Sequence, residues 1–138
     1  DKIIEKKEGR SINSIFKNHG EDYFRKIEKD VTLAQLQKIN SVISLGGGAF
    51  LNNSIRKYTK QYSISFWLDV PLEKLAIRLK RSKKRPLLNK ENTTESLKKI
   101  YFVRKKFYNK ADYKINCKRL TLKKILKKIL NLYELSRN

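Results

Sequence analysis

The stretch Ser41-Val42-Ile43-Ser44-Leu45-Gly46-Gly47-Gly48 decides the fold. Its apolar run predicts a buried strand over residues 42–45, which ends where three glycines remove every side chain. Glycine tolerates positive φ and lets the backbone approach a ligand closely, and ligands of open α/β sheets bind beyond the carboxyl ends of the strands. The glycine triplet therefore indicates either a small-molecule site or a loop or bulge that needs flexible backbone.

Outward from the triplet, helical and strand patterns alternate along the chain. Apolar spacing and turn residues predict helices at the N-terminus and over residues 11–16, 21–39, 52–60, 71–79, 93–108 and 122–133, and strands over residues 62–69 and 113–116. Gly20 is predicted to stop the second of these helices, and Asn92 or Thr93 to cap the helix over residues 93–108. The alternation predicts a single domain in which helices wrap a parallel sheet.

The composition limits the functional classes. The 138 residues are enough for one domain with a sizeable core, and no apolar run is long enough to predict a membrane span. Cys117 is the only cysteine, so an intrachain disulfide is impossible and a reducing, cytoplasmic compartment is expected.

His19 lies in a predicted turn, and a zinc site built on one histidine and one cysteine would need carboxylates as well. We therefore assign no metal ligand.

The formal net charge of +21 favours anionic partners, which include phosphates, carboxylates and nucleic acids. The lysines are spread along the chain rather than clustered among aromatic residues. A spread excess is typical of a solvated surface, so a nucleic-acid partner is not favoured.

An arginine interrupts an apolar helix face in the predicted helix over residues 93–108. Arg104 follows Leu97 by seven residues and precedes Tyr108 by four, which places it along the apolar stripe. Buried arginine is rare unless it is paired, so Arg104 is expected to meet an anion. That anion is either a ligand or a glutamate, unless the side chain snorkels to solvent.

Six motifs in order resemble the shikimate kinase family over nearly the whole chain. They are Asp1-x-x-Ile4-Glu5-x-x-x-Gly9, Ser11-Ile12-x-x-Ile15-Phe16, Gly20-Glu21-x-x-Phe24-Arg25-x-x-Glu28, Gly46-Gly47-Gly48, Arg85-Pro86-Leu87-Leu88 and Arg104-x-x-x-Tyr108. The resemblance implies a three-layer α/β/α fold with a parallel sheet, of the nucleoside-monophosphate-kinase-like P-loop class. It implies one domain over residues 1–138, with a shikimate-binding region at about residues 1–40 and a mobile lid at about residues 80–93.

The activity implied by the resemblance is transfer of the γ-phosphoryl group of ATP to the 3-hydroxyl of shikimate, in chorismate and aromatic amino-acid biosynthesis. Arg25 and Arg104 would clamp the carboxylate of shikimate, because a planar guanidinium fork meets two oxygens at once. Glu28, three residues after Arg25, would hold that arginine in place. Asp1 would bind the ring hydroxyls and orient, or partly deprotonate, the attacking one.

The glycine triplet and two aromatic residues would complete the acceptor side. By the resemblance, backbone N–H groups of Gly46, Gly47 and Gly48 approach shikimate, with Gly47 as the main contact. Phe16 and Phe24 would be apolar walls of the pocket, although core packing explains each of them equally well.

The nucleotide side rests on three arginines. Arg85 matches the lid arginine that closes over the phosphates and neutralises the charge of the transferring group. Arg78 matches a position that packs on adenine, and Arg119 follows the last strand as a further nucleotide contact. As single residues, Arg78 and Arg119 are equally well explained as surface arginines.

One departure from the family pattern is large, because residues 1–138 contain no G-x-x-G-x-G-K-[ST] phosphate loop. ATP and Mg²⁺ are the implied cofactors, and the main ligands of Mg²⁺ would lie before Asp1, together with the first strand. We therefore expect this chain to be a fragment that neither folds stably alone nor turns over ATP. We expect the protein to be a monomer that binds shikimate and ATP and does not bind membranes.

Two alternatives remain open at this point. One is another small-metabolite kinase of the same fold, such as a gluconate-type kinase. The other is a non-catalytic basic domain that binds nucleic acid with strong salt dependence. The paired arginines and Arg85-Pro86-Leu87-Leu88 favour shikimate over both.

Overall fold

The computed structural model describes residues 1–80 and 93–136. The elements are α1 (Lys2–Glu8), α2 (Ile12–Leu36), a 3-10 turn (Ala49–Leu51), α3 (Asn53–Tyr62), β1 (Phe66–Asp69), α4 (Leu72–Lys80), α5 (Thr93–Tyr108), β2 (Tyr113–Asn116) and α6 (Leu122–Leu135). Within these residues no helix combines the length and the apolar character that a membrane crossing requires.

The two strands form a parallel pair. Phe66 lies opposite Tyr113 and Asp69 opposite Asn116, and the rings of Phe66 and Tyr113 stack with centroids 5.4 Å apart. Parallel strands need a long crossover connection, which is usually helical. Here α4 and α5 lie in the connection between β1 and β2. The parallel α/β class predicted from the sequence is thereby confirmed.

The strand predicted over residues 42–45 is absent from the described structure. This segment forms no regular element, and Val42 is fully exposed. Ile43 and Leu45 instead pack against the core cluster of Leu36, Ala49 and Ile55. A strand needs a hydrogen-bonded neighbour, and among the described residues β1 and β2 pair only with each other.

Local signals set most of the helix ends. Gly20 adopts φ 80° and ψ 178°, which kinks α2 where the sequence predicted a break between two helices. The Asn52 side chain accepts hydrogen bonds from the N–H groups of Ser54 and Ile55, at 2.9 Å and 3.2 Å, and so caps α3. α2 ends at Leu36, earlier than the predicted end at residue 39, and Ile39 is exposed.

The core of the N-terminal half places α2 beside the glycine triplet. One cluster joins α1 to both parts of α2 through Ile4, Ile15, Phe24 and Ile27. The second cluster joins the end of α2 to the 3-10 turn and α3. The residues after the triplet are therefore anchored on the helix that carries Arg25.

Candidate acceptor site

Arg25 on α2 is held by two carboxylates of its own helix. Its Nη1 donates to Glu28 Oε2 at 2.5 Å, and its Nε and Nη2 donate to Glu21 Oε1 at 3.1 Å and 2.9 Å. Residues three and four apart share a helix face, so the three side chains meet along one face over about two turns. Glu28 is 5% exposed, and Arg25 satisfies this buried carboxylate.

The protonation of Arg25 is secured by the same two partners. Burial works against the guanidinium charge, but the hydrogen bonds and negative charges of Glu28 and Glu21 outweigh it and raise the pKa of Arg25 above its usual value. The side chain is therefore a fixed cation whose orientation is set before any ligand arrives.

The glycine triplet lies directly against this ion pair. A Cβ built on Gly48 would collide with the guanidinium of Arg25, and a Cβ on Gly46 would stand 2.9 Å from Glu28 Oε1 and 3.9 Å from Asp1 Oδ1. None of the three glycines has a positive φ. Gly46 and Gly48 are glycine because charged side chains approach the backbone closely there. This approach brings Asp1, Arg25 and the triplet together.

The two phenylalanines support the site from the core side. The rings of Phe16 and Phe24 lie with centroids 4.7 Å apart. Phe24 is buried, and Phe16 is partly buried against the Ile4 cluster. The guanidinium of Arg25 lies 5.2 Å from the centroid of the Phe24 ring, so Phe24 contributes to the core and contacts the cation as well.

α5 reaches the triplet from the opposite side. The Tyr108 hydroxyl donates a hydrogen bond to the Gly47 carbonyl at 2.5 Å, and the Tyr108 ring lies 5.8 Å from the ring of Trp67 on β1. Arg104 is one turn earlier on the same face of α5 and is half-buried. Within residues 1–80 and 93–136 no carboxylate forms an ion pair with Arg104, so the glutamate partner considered above does not occur there.

The predicted nucleotide residues lie elsewhere in the molecule. Arg78 on α4 and Arg119 after β2 are exposed. Burial, and then the charge of Asp69, raise the pKa of the Cys117 thiol, while Arg78 is among the nearby cations that oppose this shift. Arg78 therefore lies near Cys117, which directly follows β2, and Arg119 is two residues further along the chain.

Two further predictions fall outside this geometry. Arg85 and most of the lid at about residues 80–93 lie outside the described residues. In the part of the chain that the structure describes, no three His, Cys, Asp or Glu side chains lie close enough together to hold a metal ion.

Sequence reasoning missed two contacts in the site. Glu21 is a second carboxylate on Arg25, and its spacing of four residues could have revealed it. The bond between Tyr108 and Gly47 joins residues 61 positions apart, and no periodicity or spacing rule indicates a contact of that kind.

Comparison with known proteins matches the chain to one family. A model of the family described as "Shikimate kinase" matches residues 1–134. The shikimate kinase of Bartonella quintana is 40% identical over 116 residues, which is 84% of this chain and 55% of that protein. The shikimate kinase of Aquifex aeolicus is 39% identical over 115 residues, which is 83% of this chain and 67% of that protein. The chain thus spans little more than half the length of the first of these relatives.

Solved structures give the same result for the fold. The shikimate kinase from Acinetobacter baumannii in complex with shikimate superposes with a TM-score of 0.92 at 34% identity, over 100% of this chain and 77% of that one. The shikimate kinase from Aquifex aeolicus superposes with a TM-score of 0.79 at 34% identity, over 99% of this chain and 80% of that one.

Proposed function

This chain belongs to the shikimate kinase family, and from that premise we propose that the protein transfers the γ-phosphoryl group of ATP to the 3-hydroxyl of shikimate. The observation that carries the proposal is the packing of Gly48 and Gly46 against Arg25, Glu28 and Asp1. Neither a gluconate-type kinase nor a nucleic-acid-binding domain is favoured by the comparisons.

Arg25 is suited to bind the shikimate carboxylate. A guanidinium has five N–H donors, and three of those of Arg25 are directed at Glu21 and Glu28. One N–H on each terminal nitrogen remains for a ligand, which matches the two oxygens of a carboxylate. Arg104, half-buried on the α5 face that meets the triplet, would supply the second positive charge.

Asp1 would act on the hydroxyl side of the ring. Its carboxylate lies on the Gly46 side of the triplet, and the Arg25 guanidinium lies against Gly48. A ring bound between them would present its carboxylate to Arg25 and its hydroxyls to Asp1. In this pose Asp1 accepts a hydrogen bond from the attacking hydroxyl and so orients its oxygen toward the phosphoryl group.

ATP and Mg²⁺ complete the proposed reaction. Arg78 would pack on the adenine, Arg119 would contact the nucleotide, and Arg85 would neutralise charge on the transferring group. Mg²⁺ binds through oxygen ligands and usually accompanies the phosphates of its substrate. The oxygens of Asp69 are bonded to Tyr101 and Lys114, and the described residues contain no group of three metal-ligating side chains. We therefore derive no step through the ion.

The remaining assignments follow from the same premise. We propose that residues 1–40 form the shikimate-binding region and residues 80–93 the lid of a single domain. We further propose that the protein is a cytoplasmic monomer of chorismate and aromatic amino-acid biosynthesis.

The test is a coupled assay of ADP formation on the gene product that contains these 138 residues. We expect ADP release that depends on shikimate and not on gluconate. Arg104→Ala should raise the KM for shikimate by about 100-fold through the loss of charge-assisted hydrogen bonds, whereas Arg85→Ala should mainly lower kcat. An unchanged affinity for shikimate in Arg104→Ala would refute the carboxylate clamp, and the absence of shikimate-dependent turnover in the gene product would refute the function.

A further inference from the structure

The end of α5 is held beside the glycine triplet by contacts with α3 and β1. Arg56 donates to the Phe50 carbonyl at 2.8 Å, and its guanidinium lies 4.9 Å from the centroid of the Phe107 ring. The ring of Tyr108 packs near Trp67. These contacts hold the helix in place without the Tyr108 hydroxyl. The bond from that hydroxyl to Gly47 is therefore not needed to dock α5, and its effect is on the Gly47 carbonyl itself.

That consequence is the orientation of one peptide group. The described residues contain no cis peptide bond, and in a planar trans peptide the C=O and the N–H point in opposite directions. Because Tyr108 holds the Gly47 carbonyl toward α5, the N–H of Gly48 points away from α5. Among the described residues no acceptor receives this N–H, whereas the Gly46 and Gly48 carbonyls bond to Ala49 and Leu51.

We propose that Tyr108 is a positioning residue of the shikimate site. Its hydroxyl holds the peptide between Gly47 and Gly48 so that the Gly48 N–H stays available to the substrate. This role rests on the proposed function, since it presumes that shikimate binds at the triplet.

The first experiment removes only the hydroxyl. Tyr108→Phe keeps the ring packing against Trp67, and we expect the Kd for shikimate to rise about tenfold, the scale of one hydrogen bond. The KM for ATP should change by less than about twofold, because the bond orients a peptide group of the shikimate site only. A merely structural hydroxyl would instead lower the melting temperature and weaken both substrates alike, which would overturn the proposal.

A tyrosine on β2 provides the matched control. The Tyr113 hydroxyl donates to Ser136 Oγ at 3.3 Å, and its ring stacks on Phe66, away from the triplet. Tyr113→Phe removes a comparable bond and should leave the Kd for shikimate unchanged. An equal loss of shikimate affinity in the Tyr113 and Tyr108 variants would also overturn the proposal.

A second measurement starts from the wild-type protein. In the wild-type gene product, we expect the ¹⁵N–¹H signal of Gly48 to shift during a shikimate titration, and the shift to shrink in Tyr108→Phe. The positioning role is overturned if the wild-type protein binds shikimate without a shift at Gly48, or if Tyr108→Phe keeps full affinity. Either result leaves the proposed function standing. Wild-type protein that does not bind shikimate at all overturns both.

Discussion

The proposed acceptor side and the proposed nucleotide side of the molecule differ in how far their arginines are organised before a ligand binds. Arg25 is bonded to Glu21 and Glu28 and lies against Gly48. Arg78 and Arg119 are exposed, and within residues 1–80 and 93–136 no carboxylate pairs with either of them. The same residue type thus occurs both in a fixed and in an unpaired state among the described residues.

The difference indicates where binding is specific. A side chain that is already fixed loses little conformational entropy when a ligand arrives, whereas a free arginine must be ordered at that moment. Exposed charges are also screened by salt. We therefore expect substitutions on the acceptor side to have large, coupled effects, and substitutions of the exposed arginines to have small, independent ones.

The largest effect should come from Arg25→Ala. It removes the two N–H donors proposed for the shikimate carboxylate, so the Kd for shikimate should rise by at least about 100-fold. It also leaves Glu28 buried without its cation, which should lower the free energy of unfolding by about 2 kcal/mol. Isothermal titration and chemical denaturation measure the two quantities.

A double variant separates these two consequences. Arg25→Ala combined with Glu28→Gln removes the buried charge and should recover much of the stability without restoring affinity. Recovery of shikimate binding in the double variant would contradict the direct role of Arg25 and weaken the contrast between the two sides.

A smaller effect is expected for Gly48→Ala. Gly48 has φ −96° and ψ −24°, which any residue adopts, so the backbone should tolerate alanine. The three atoms nearest to the new Cβ all belong to the guanidinium of Arg25, which is the end of a flexible side chain. We expect the Kd for shikimate to rise about tenfold through the displaced guanidinium. The free energy of unfolding should fall by less than in Arg25→Ala, because the displaced cation still lies near Glu28.

Combining Gly48→Ala with Arg25→Ala tests this explanation by a double-mutant cycle. Since Gly48→Ala acts through Arg25, its cost in shikimate affinity should vanish once Arg25 is alanine. Additive losses would show that the triplet and Arg25 act separately.

The features of the acceptor side that could be predicted from the sequence are local. The kink at Gly20, the cap at Asn52 and the pair of Arg25 with Glu28 each follow from spacings of a few residues. The prediction of a strand over residues 42–45 was wrong, because hydrogen bonding between strands depends on a neighbour that is distant in sequence. The bond between Tyr108 and Gly47 is likewise long-range, so only the folded chain reveals it.

On the nucleotide side, Arg78→Ala should raise the KM for ATP by only about threefold, as befits an exposed arginine with no described partner. The loss should shrink as salt is added, because exposed charges are screened. Steady-state kinetics at two ionic strengths measure both, with the KM for shikimate as the internal control. A loss as large as that of Arg25→Ala would remove the distinction between fixed and free arginines.

The smallest effect concerns Cys117, which lies near Arg78. Burial, and then the charge of Asp69, raise the pKa of the folded thiol above the ordinary value of 9.0, against the opposing effect of nearby cations. Above that pH the unfolded thiol ionises while the folded thiol keeps its proton. The contribution of Cys117 to stability is therefore complete below the unfolded pKa and is lost as the pH rises through the folded pKa.

Cys117→Ala removes this titration and leaves Tyr101, whose pKa is raised by burial and Asp69, unchanged. Relative to the wild type, the variant should therefore gain unfolding free energy between about pH 8 and pH 10. Denaturation at both pH values measures the gain. If the stability of the two proteins instead changed equally between these pH values, the thiol would ionise equally well in the folded and unfolded states. The cations near Cys117 would then offset its burial, and the charges on this side of the molecule would be more closely organised than their exposure suggests.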